Sequence, residues 1–576
     1  MAAEPPLVHG APSTMGDHEQ LTTTRMLRDA ARSFGDQQIS YRDDSGQWQS
    51  TDYAATWDRV LRMGSAVEGL GIGPDSRVGV LLWNSLEHYE SYFSIPLVGA
   101  TMIQLNMRLA PADLAYVIEH SGAATLIVDH TLLRLAQGLK EHIPQVTQWI
   151  VVGPDSSLEQ FDGFPGVSSY EQLIAGSQPL AQIPNMAETT ASAACYTTGT
   201  TGRPKGVFLS HRSVWLHAMA VSSNSGLTGA DKVMMLTPMF HVQCWGLPFA
   251  ATAVGAQMVL PGRFTLDDMD MLTEAILEQG VTLAPAAPAI LMPMLRSLKR
   301  MDTPPRLDGL RFLCGASEPP VSMMRAFHEL TGAEVIHAYG ATETSPVVSL
   351  NWMKPSVASK VSEEEAWEMR KYQGLVVAGV DLKIVDPAGE EVPNDGSTAG
   401  EVRLRGPWIV ASYADNPEAT EAGFDEEGYW RSGDVGYLNE HGYLKITDRL
   451  KDVIKSGGEW ISSIDMENLL TSHPAITEAA VVGLPHPKWQ ERPYVQVMLR
   501  PGATITLAEV HEHLSGAFAS WQLPERVDVV TELPRTSVGK IDKKTIRGRH
   551  TDLYADASEA ARPGGGAGDV EEGGRA

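Results

Sequence analysis

Residues 196–206 read Tyr-Thr-Thr-Gly-Thr-Thr-Gly-Arg-Pro-Lys-Gly, a stretch dense in hydroxyl groups and glycine with one lysine near its end. Glycines let a loop backbone reach positive φ and approach a ligand closely, so that several N–H groups can converge on phosphate oxygens. The threonines add short donors, and Lys205 adds a compact positive charge. The spacing differs from that of a Walker A loop, and an apolar run, 207–209, follows it directly. The stretch predicts a phosphate-binding loop between two strands, whereas a bare Gly-Thr-Thr-Gly would equally fit a surface turn.

Strand-like and helical stretches alternate on both sides of this loop. An amphipathic helix is expected at 22–34, because its apolar residues recur at helical spacing. Alternation of strands and helices predicts βαβ units and largely parallel sheets, and the pattern occurs twice. The expected strands lie at 76–82, 124–128, 232–236, 282–284 and 310–313, and the expected helices at 86–92, 131–139, 269–278 and 288–298.

The pattern changes after residue 379. Short alternating strands at 381–385, 401–404 and 443–446, separated by Gly, Asp and Pro turns, predict a small β-barrel or sandwich packed on the sheets. A helix at 463–470, strands at 479–482 and 494–498 and a helix near 507–518 then predict a separate α+β domain. We therefore expect an α/β fold with a large N-terminal domain of two doubly wound sheets plus a small β-barrel, followed by an α+β C-terminal domain. The expected boundaries are a flexible arm at 1–20, the domains at 21–450 and 451–554, and a disordered tail at 555–576.

Composition limits the possible partners and the compartment. The 576 residues carry a formal net charge of −26, which argues against general binding to nucleic acid or to an anionic membrane surface. The three cysteines, Cys195, Cys244 and Cys314, lack metal-ligand spacing and are expected to be buried thiols in a reducing compartment. The first residues lack the basic start and apolar core of a signal peptide, and the longest apolar stretch, 246–262, is interrupted and short for a membrane span. These features predict a cytoplasmic protein without a transmembrane segment.

Four further segments carry residues suited to chemistry on a nucleotide. Segment 339–346, Tyr-Gly-Ala-Thr-Glu-Thr-Ser-Pro, places a carboxylate beside hydroxyls, which suits Mg²⁺ because that ion takes few protein oxygens. Segment 429–436 offers Asp434 in a glycine turn, where a carboxylate can accept both hydroxyls of a ribose, although Asp and Gly are common in turns. Segment 314–319 has small residues against which a flat base could lie, but it also fits an ordinary helix start. Segment 240–248 holds His241 and Trp245 in an apolar run, where core packing is the alternative.

These segments, in this order, resemble the motifs of the adenylate-forming superfamily, which contains acyl-CoA synthetases, luciferases and the adenylation domains of peptide synthetases. The resemblance runs from about residue 25 to residue 550 and includes segments 447–452, 454–462 and 534–542. Segments 240–248 and 455–462 look most like those of bacterial medium- or long-chain fatty acyl-CoA synthetases. One departure is segment 374–379, where related enzymes often have a proline.

The resemblance implies a set of site residues. Catalytic roles fall on His241, Thr342, Glu343 and Lys540, and the metal ion is expected on Thr197 and Glu343. The acyl substrate is expected at His241 and Trp245, with Trp245 gating the acyl tunnel, and Lys451 is expected at the hinge of a mobile C-terminal domain. The residues implied for ATP and AMP are Thr197, Thr198, Gly199, Thr200, Thr201, Gly202, Lys205, Gly315, Ala316, Tyr339, Gly340, Thr342, Asp434, Arg449, Lys455 and Trp460.

The implied activity is that of an ATP-dependent fatty acid:CoA ligase that uses Mg²⁺, with ATP and CoA as co-substrates. A ligase for an aryl or short branched acid, or one that stops at the acyl-adenylate, is the competing enzyme hypothesis. A synthetase fused to a carrier is disfavoured because no carrier motif follows Lys540. A nucleotide-binding regulatory protein would be expected to have lost Lys540 or Glu343, and both are present. A homodimer is expected from the N-terminal arm and from similar enzymes.

Overall fold

The computed structural model describes residues 10–16, 21–197, 203–456, 459–535 and 541–555. Most of the predicted N-terminal arm, and the predicted tail beyond residue 555, lie outside these ranges. The chain forms two compact units. Unit 1 consists of Met1–Ser432 with Tyr437–Lys445, and unit 2 consists of Gly433–Gly436 with Ile446–Ala576.

Twenty-five strands run through the described residues. They are β1 (Gln38–Arg42), β2 (Trp48–Asp52), β3 (Arg77–Leu81), β4 (Thr101–Gln104), β5 (Thr125–Asp129), β6 (Gln148–Val152), β7 (Val167–Ser169), β8 (Ala191–Thr197), β9 (Lys205–Ser210), β10 (Lys232–Met234), β11 (Gln257–Leu260), β12 (Leu283–Ala286), β13 (Arg311–Cys314), β14 (Glu334–Gly340), β15 (Val347–Leu350), β16 (Leu375–Val376), β17 (Asp381–Val385), β18 (Gly400–Arg405), β19 (Trp430–Leu438), β20 (Leu444–Arg449), β21 (Ile454–Ser456), β22 (Glu459–Ile461), β23 (Ile476–His486), β24 (Gln490–Leu499) and β25 (Arg526–Val529).

The same residues contain eighteen helical segments. They are α1 (Thr23–Ser33), α2 (Tyr53–Gly69), α3 (Leu86–Leu97), α4 (Pro111–Ser121), α5 (Leu133–Lys140), α6 (Tyr170–Gly176), α7 (His211–Ser225), α8 (Val242–Trp245), α9 (Leu247–Val254), α10 (Met269–Gln279), α11 (Pro288–Arg300), α12 (Val321–Thr331), α13 (Pro355–Ala358), α14 (Glu363–Met369), α15 (Pro417–Gly423), α16 (Ser463–Ser472), α17 (Leu507–Leu514) and α18 (Lys543–His550). Short 3₁₀ turns lie at His130–Leu132, Asp155–Phe161, Leu266–Asp268, Thr342–Thr344 and Ser520–Gln522.

Two large sheets organise unit 1. One has seven strands in the order β7-β6-β5-β3-β4-β8-β9, parallel except for the final β8–β9 pair. The other has nine strands in the order β16-β15-β14-β13-β12-β10-β11-β1-β2, with a parallel centre and antiparallel pairs at both ends. The two doubly wound sheets predicted from the alternating pattern are confirmed. Central strands such as β5 and β12 are buried on both faces, as expected when helices cover each side of a parallel sheet.

The predicted small barrel is the part of the fold that differs from expectation. Strands β17-β18-β19-β20 form a four-stranded sheet, and the division between the two units passes through β19 and β20. A barrel requires its first and last strands to pair. Within the described ranges β17 and β20 are the two ends of an open sheet. The β-rich composition of the segment was interpreted correctly, but strand closure depends on pairing that local sequence does not encode.

Unit 2 is built on one further sheet. Its strands run in the order β22-β21-β24-β23, and β25 pairs in parallel with β24. The long antiparallel pair β23–β24 supplies most of the core, because Val481, Val495 and Val497 pack against α16 and α17. The α+β character expected for the C-terminal segment is therefore confirmed.

A buried ion-pair cluster joins three helices of unit 1. Arg59 on α2 contacts Glu90 on α3 and Glu171 on α6, and Tyr170 donates a 3.0 Å hydrogen bond to Glu90. Glu87, one turn before Glu90, shares this environment. Burial, reinforced by the charge of Glu90, raises the pKa of Glu87 to about 7. Two carboxyl groups thus pair with one guanidinium, and Glu87 lies beside them with a raised pKa.

We predict that Glu87→Gln raises stability selectively at high pH. Because the pKa of Glu87 is raised in the folded protein, the native state binds a proton that the unfolded chain has released between pH about 4.5 and 7. Its contribution to stability is therefore lost as the pH rises through 7. The melting temperature of the variant should exceed that of the parent at pH 8 by an amount corresponding to about 1–3 kcal/mol, and by much less at pH 5.

The control for this measurement is Glu141→Gln at an exposed position. It should leave the pH dependence of the melting temperature unchanged. Equal pH slopes for the parent and for Glu87→Gln would contradict the assignment.

Candidate active site

The predicted phosphate loop lies between two antiparallel strands. Strand β8 ends at Thr197 and β9 begins at Lys205, and these two residues pair directly across the ladder. The five residues between them that were assigned to ATP, Thr198, Gly199, Thr200, Thr201 and Gly202, lie outside the described ranges. The Nζ atom of Lys205 sits 4.6 Å from the ring centroid of Tyr413. The prediction that a strand follows the loop, instead of the helix of a Walker A motif, is confirmed.

The predicted metal carboxylate lies on a tight turn after β14. The turn spans Thr342–Thr344, and the Ala341 N–H donates to the Pro346 carbonyl across its base at 3.2 Å. Glu343 is only 8% exposed, and the Tyr413 hydroxyl donates a 2.8 Å hydrogen bond to its Oε1 atom. Strand β8, which ends at Thr197, packs against this turn. The fold therefore brings Glu343 to the same region of unit 1 as the phosphate strands.

These oxygen donors fit the Mg²⁺ ion that the resemblance implies. The described residues contain no cluster of three or more His, Cys, Asp or Glu side chains that could hold a metal. Mg²⁺ does not require one, because it binds through one or two carboxylates and keeps phosphate oxygens and waters as its other ligands. A single buried carboxylate fixed by a phenol, with the Thr197 hydroxyl on a neighbouring strand, matches that preference.

A small cavity brings together residues from both sheets. Its walls include Gln104 at the end of β4, Tyr196 on β8, Phe240 and His241 after β10, and Thr342 after β14. The carboxyl ends of parallel strands are the usual ligand-binding edge of such sheets. Two residues assigned separately from sequence, His241 and Thr342, therefore face one cavity. Gln104 was missed, because a glutamine at a strand end carries no distinguishing signal.

The segment that leads from His241 to Trp245 has an unusual backbone. Four consecutive non-glycine residues, Val242, Gln243, Cys244 and Trp245, have φ between 46° and 58°, and Gly246 continues the left-handed turn at φ 74°. Left-handed conformation costs about 1–2 kcal/mol per residue, and a β-branched valine there is a clear outlier. The turn is buried, and the Cys244 thiol contacts the Thr237 carbonyl at 3.1 Å. Such strain persists only where surrounding packing imposes it.

The indole of Trp245 lies against the predicted adenine segment. A Cβ atom placed on Gly315 would come within 3.1 Å of Trp245 Cη2, so the glycine permits close approach of the ring. Ala316 follows with φ 69°, and Tyr339 and Gly340 close the adjacent strand β14 at a β-bulge. Trp245 and Gly315, which were assigned from separate motifs to the acyl substrate and to ATP, are therefore in direct contact.

His217 connects the left-handed turn to the carboxylate turn, and sequence analysis missed it. Its Nε2 atom accepts a 3.0 Å hydrogen bond from the Val347 N–H, just beyond the Glu343 turn. Its Nδ1 atom lies 2.6 Å from the position that a Cβ would take on Gly246. Burial lowers the pKa of His217 to about 3, so the ring is neutral at physiological pH. A histidine in an amphipathic helix gives no sequence signal for such a bridging position.

Unit 2 contains the predicted ribose residues. Asp434 is buried, and its Oδ1 atom lies 2.8 Å from Arg449 Nε. This pairing joins two motifs that are separated by 15 positions and were assigned to the same ribose from sequence. Lys451, the predicted hinge residue, is exposed and lies directly after β20.

The described residues of the glycine-rich segment 454–462, which we call the second glycine-rich loop, are also fixed by their neighbours, whereas its two glycines lie outside the described ranges. Lys455 on β21 pairs directly with Trp460 on β22. The Glu491 carboxylate accepts a 2.8 Å hydrogen bond from the Lys455 N–H, and Arg492 donates to the Ser456 hydroxyl at 3.2 Å. Glu491 and Arg492 support the loop and were not predicted. Lys540, assigned to catalysis, lies outside the described residues.

Comparison with known proteins identifies the family of this chain. The model of the AMP-binding enzyme family matches residues 27–414, and that of the AMP-binding enzyme C-terminal domain matches residues 465–540. The chain belongs to the AMP-binding enzyme family. Strands β8 and β9 and the Glu343 turn lie inside the first matched range. Segment 454–462 lies just before the second matched range.

Two curated relatives and one solved structure illustrate the similarity. A long-chain-fatty-acid–CoA ligase of Thermus thermophilus is 40% identical, over 95% of this chain and 98% of its own length. A 3-methylmercaptopropionyl-CoA ligase of Ruegeria lacuscaerulensis is 37% identical, over 93% and 98% respectively. The anthranilate CoA ligase AuaEII, solved in complex with anthranoyl-AMP, superposes with a TM-score of 0.78 at 25% identity, covering 93% of this chain and 98% of that one.

For this AMP-binding enzyme we predict that Gly340→Ala disables adenylate formation. A Cβ at this position would lie 1.9 Å from the Pro346 carbonyl oxygen, so the two sides of the Glu343 turn must separate. Overpacking against backbone costs about 1–3 kcal/mol of stability. Displacement of Glu343 by a barrier cost of the same size would lower ATP–pyrophosphate exchange by about 5- to 150-fold.

The matched control is Gly138→Ala on α5, where an added Cβ meets no atom within 4 Å. It should exchange pyrophosphate at the parental rate. Parental exchange by Gly340→Ala would show that the turn tolerates the added methyl group.

Proposed function

We propose that this protein is an ATP-dependent fatty acid:CoA ligase, which forms an acyl-adenylate and pyrophosphate and then acyl-CoA and AMP. The observation that carries the proposal is the convergence of Lys205, Glu343, Thr342 and His241 in one region of unit 1. This set combines a cation and hydroxyls for phosphates with a carboxylate for a hard metal ion. Family membership supports the same chemistry.

The first step activates a carboxylate, which is a poor electrophile at neutral pH. A carboxylate oxygen of the acid attacks the α-phosphorus of ATP, the bond to the β-phosphate oxygen breaks, and pyrophosphate leaves. Lys205 and the Thr342 hydroxyl are suited to hold the phosphoryl oxygens on which charge builds, and Lys540 is proposed to join them. Mg²⁺ held by Glu343 and Thr197 would neutralise further charge when bound.

The second step transfers the acyl group to CoA. The thiol sulfur attacks the acyl carbon, the bond to the AMP oxygen breaks, and the thiol proton passes to solvent. Lys455 and Trp460 face each other on a hairpin of unit 2, braced by Glu491 and Arg492, and we assign this loop to the step. Asp434 and Arg449 are assigned to the ribose, and Lys451 to the hinge that exchanges one step for the other.

The proposal that the substrate is a fatty acid rests on segment 240–248. Residues 240–248 contain no aspartate to hold a substrate amine, which disfavours an amino acid. Trp245 occupies the position of the gate residue in similar fatty acyl-CoA synthetases, and the Thermus thermophilus relative is named a long-chain ligase. The Ruegeria lacuscaerulensis relative is named a 3-methylmercaptopropionyl-CoA ligase, and a short acid is therefore the alternative substrate.

Location and assembly belong to the same proposal. Of the helices in the described ranges, none is both long enough and apolar enough to cross a membrane. The three cysteines are free and buried, as predicted from their spacing. We propose a cytoplasmic location and a homodimer, which size-exclusion chromatography with light scattering would test.

The proposed function is tested by measuring AMP release from ATP against a panel of acids, with and without CoA. Fatty acids should support AMP release that depends on CoA, and aryl or short branched acids should support less. Turnover with none of the fatty acids would overturn the proposal, and pyrophosphate release without AMP release, unchanged by CoA, would indicate an acyl-AMP ligase.

We predict that Trp245→Ala weakens the coupling between ATP and acyl binding. The indole contacts Gly315 in the adenine segment, so its removal breaks the direct path between the two sites. Fatty-acid affinity measured by calorimetry should become nearly independent of a non-hydrolysable ATP analogue, and the chain-length profile should broaden. An unchanged profile together with a lower melting temperature would favour a core-packing role.

We predict that Lys540→Ala separates the two half-reactions. Loss of a transition-state charge contact costs about 10²–10³ in rate, so ATP–pyrophosphate exchange should fall by that factor. Conversion of supplied acyl-adenylate and CoA to thioester should continue near the parental rate, because the assigned thioester loop is intact. Equal loss of both half-reactions in a normally folded variant would contradict this division.

A further inference from the structure

We propose that Tyr413 is a positioning residue for Mg²⁺-dependent adenylation, which fixes the Glu343 carboxylate with its hydroxyl and supports the Lys205 ammonium with its ring. This inference rests on the proposed role of Glu343 as the metal ligand. Tyr413 lies in a connecting segment before α15, outside every motif singled out in the sequence.

The hydroxyl of Tyr413 belongs to a directed chain of hydrogen bonds. Trp430 Nε1–H donates to the Tyr413 oxygen at 3.2 Å, and the Tyr413 O–H donates to Glu343 Oε1 at 2.8 Å. An indole can only donate, so the direction of this chain is set by Trp430. An ionised carboxylate can only accept, so the phenol donates to it and restrains its rotation.

The ring of Tyr413 lies close to a positively charged side chain. Lys205 Nζ lies 4.6 Å from the ring centroid, within the range at which an aromatic face attracts a cation. The backbone on either side of Tyr413 is hydrogen-bonded to Glu343 and to the residue after Lys205. The Ala414 N–H donates to the Gly206 carbonyl at 2.9 Å, and the Val410 N–H donates to the Glu343 carbonyl at 3.0 Å.

This arrangement has a consequence for metal and phosphate binding. Mg²⁺ demands near-ideal octahedral geometry, so a ligand that rotates freely binds it less well. Hydrogen-bond partners behind a metal ligand are typically worth 10–100-fold in metal affinity. One side chain that touches both the carboxylate and the ammonium therefore sets the distance between the metal position and the phosphate position.

The test compares the full-length proteins in two ways: the Mg²⁺ dependence of ATP–pyrophosphate exchange, and Mg²⁺ affinity by calorimetry with a non-hydrolysable ATP analogue. Tyr413→Phe keeps the ring and removes the hydroxyl, so the Mg²⁺ concentration for half-maximal rate and the Mg²⁺ dissociation constant should each rise about ten-fold, equivalent to about 1.4 kcal/mol. The KM for the fatty acid should stay at the parental value. Tyr413→Leu also removes the ring, and its KM for ATP should rise several-fold in addition.

Tyr429→Phe is the matched control. The Tyr429 ring is also covered by cations, with Lys383 Nζ at 4.2 Å and Arg405 at 4.4 Å from its centroid, but it has no assigned role in the site. Its Mg²⁺ dependence should match that of the parent. Trp430→Phe removes the donor behind the phenol without touching Tyr413, and should raise the Mg²⁺ requirement by a smaller factor, about two- to five-fold.

The outcomes separate this inference from the proposed function. If Glu343→Gln retains the parental Mg²⁺ dependence, the metal role of Glu343 is wrong and the inference fails with it. If Glu343→Gln loses that dependence while Tyr413→Phe keeps it, the role of Tyr413 alone is overturned. Should Tyr413→Phe fold poorly, Trp430→Phe decides: a raised Mg²⁺ requirement supports the inference, and an unchanged one overturns it.

Discussion

Two backbone hydrogen bonds hold the catalytic region of unit 1 together, from Ala414 N–H to the Gly206 carbonyl and from Val410 N–H to the Glu343 carbonyl. Each joins a connecting segment to a different sheet, because Gly206 lies on β9 and Glu343 follows β14. Lys205 is thereby held on a strand, and Glu343 on a tight turn at the end of one. In a chain of net charge −26, the proposed binding of an anionic substrate requires such a locally placed cation.

The left-handed turn at Val242–Trp245 shows how packing overrides local preference. Four non-glycine residues in this conformation cost about 4–8 kcal/mol. Burial of the side chains of Val242, Cys244 and Trp245 stabilises the turn by a similar amount, about 5–9 kcal/mol at about 1.5–3 kcal/mol for each. The turn directs the indole onto Gly315, and His217 connects its end to Val347. Segment 240–248, segment 314–319 and the Glu343 turn are thus linked through direct contacts.

Much of the fold could be predicted because the spacing of apolar residues within a short stretch indicates whether that stretch forms a helix or a strand. Helix α1 follows the predicted 22–34 pattern, and β12 and β13 lie within one or two residues of expectation. Errors arose where local rules compete with packing. Helix α3 continues to Leu97 through Pro96, beyond the predicted end at 92, since its whole length is buried against the core. The predicted barrel is an open sheet, because closure depends on long-range pairing.

The sequence by itself determined the family, the two-domain organisation and the identity of most candidate site residues, since these depend on residue types at fixed local spacing. Only the tertiary structure decided which of them meet. It placed His241 beside Thr342, Trp245 on Gly315 and Tyr413 between Lys205 and Glu343. Tyr413 and Glu343 are 70 positions apart, and a hydrogen bond across that separation is set by how the strands pack. A tyrosine in a connecting segment carries no local mark of that contact, because its role is defined by the neighbours that folding brings to it.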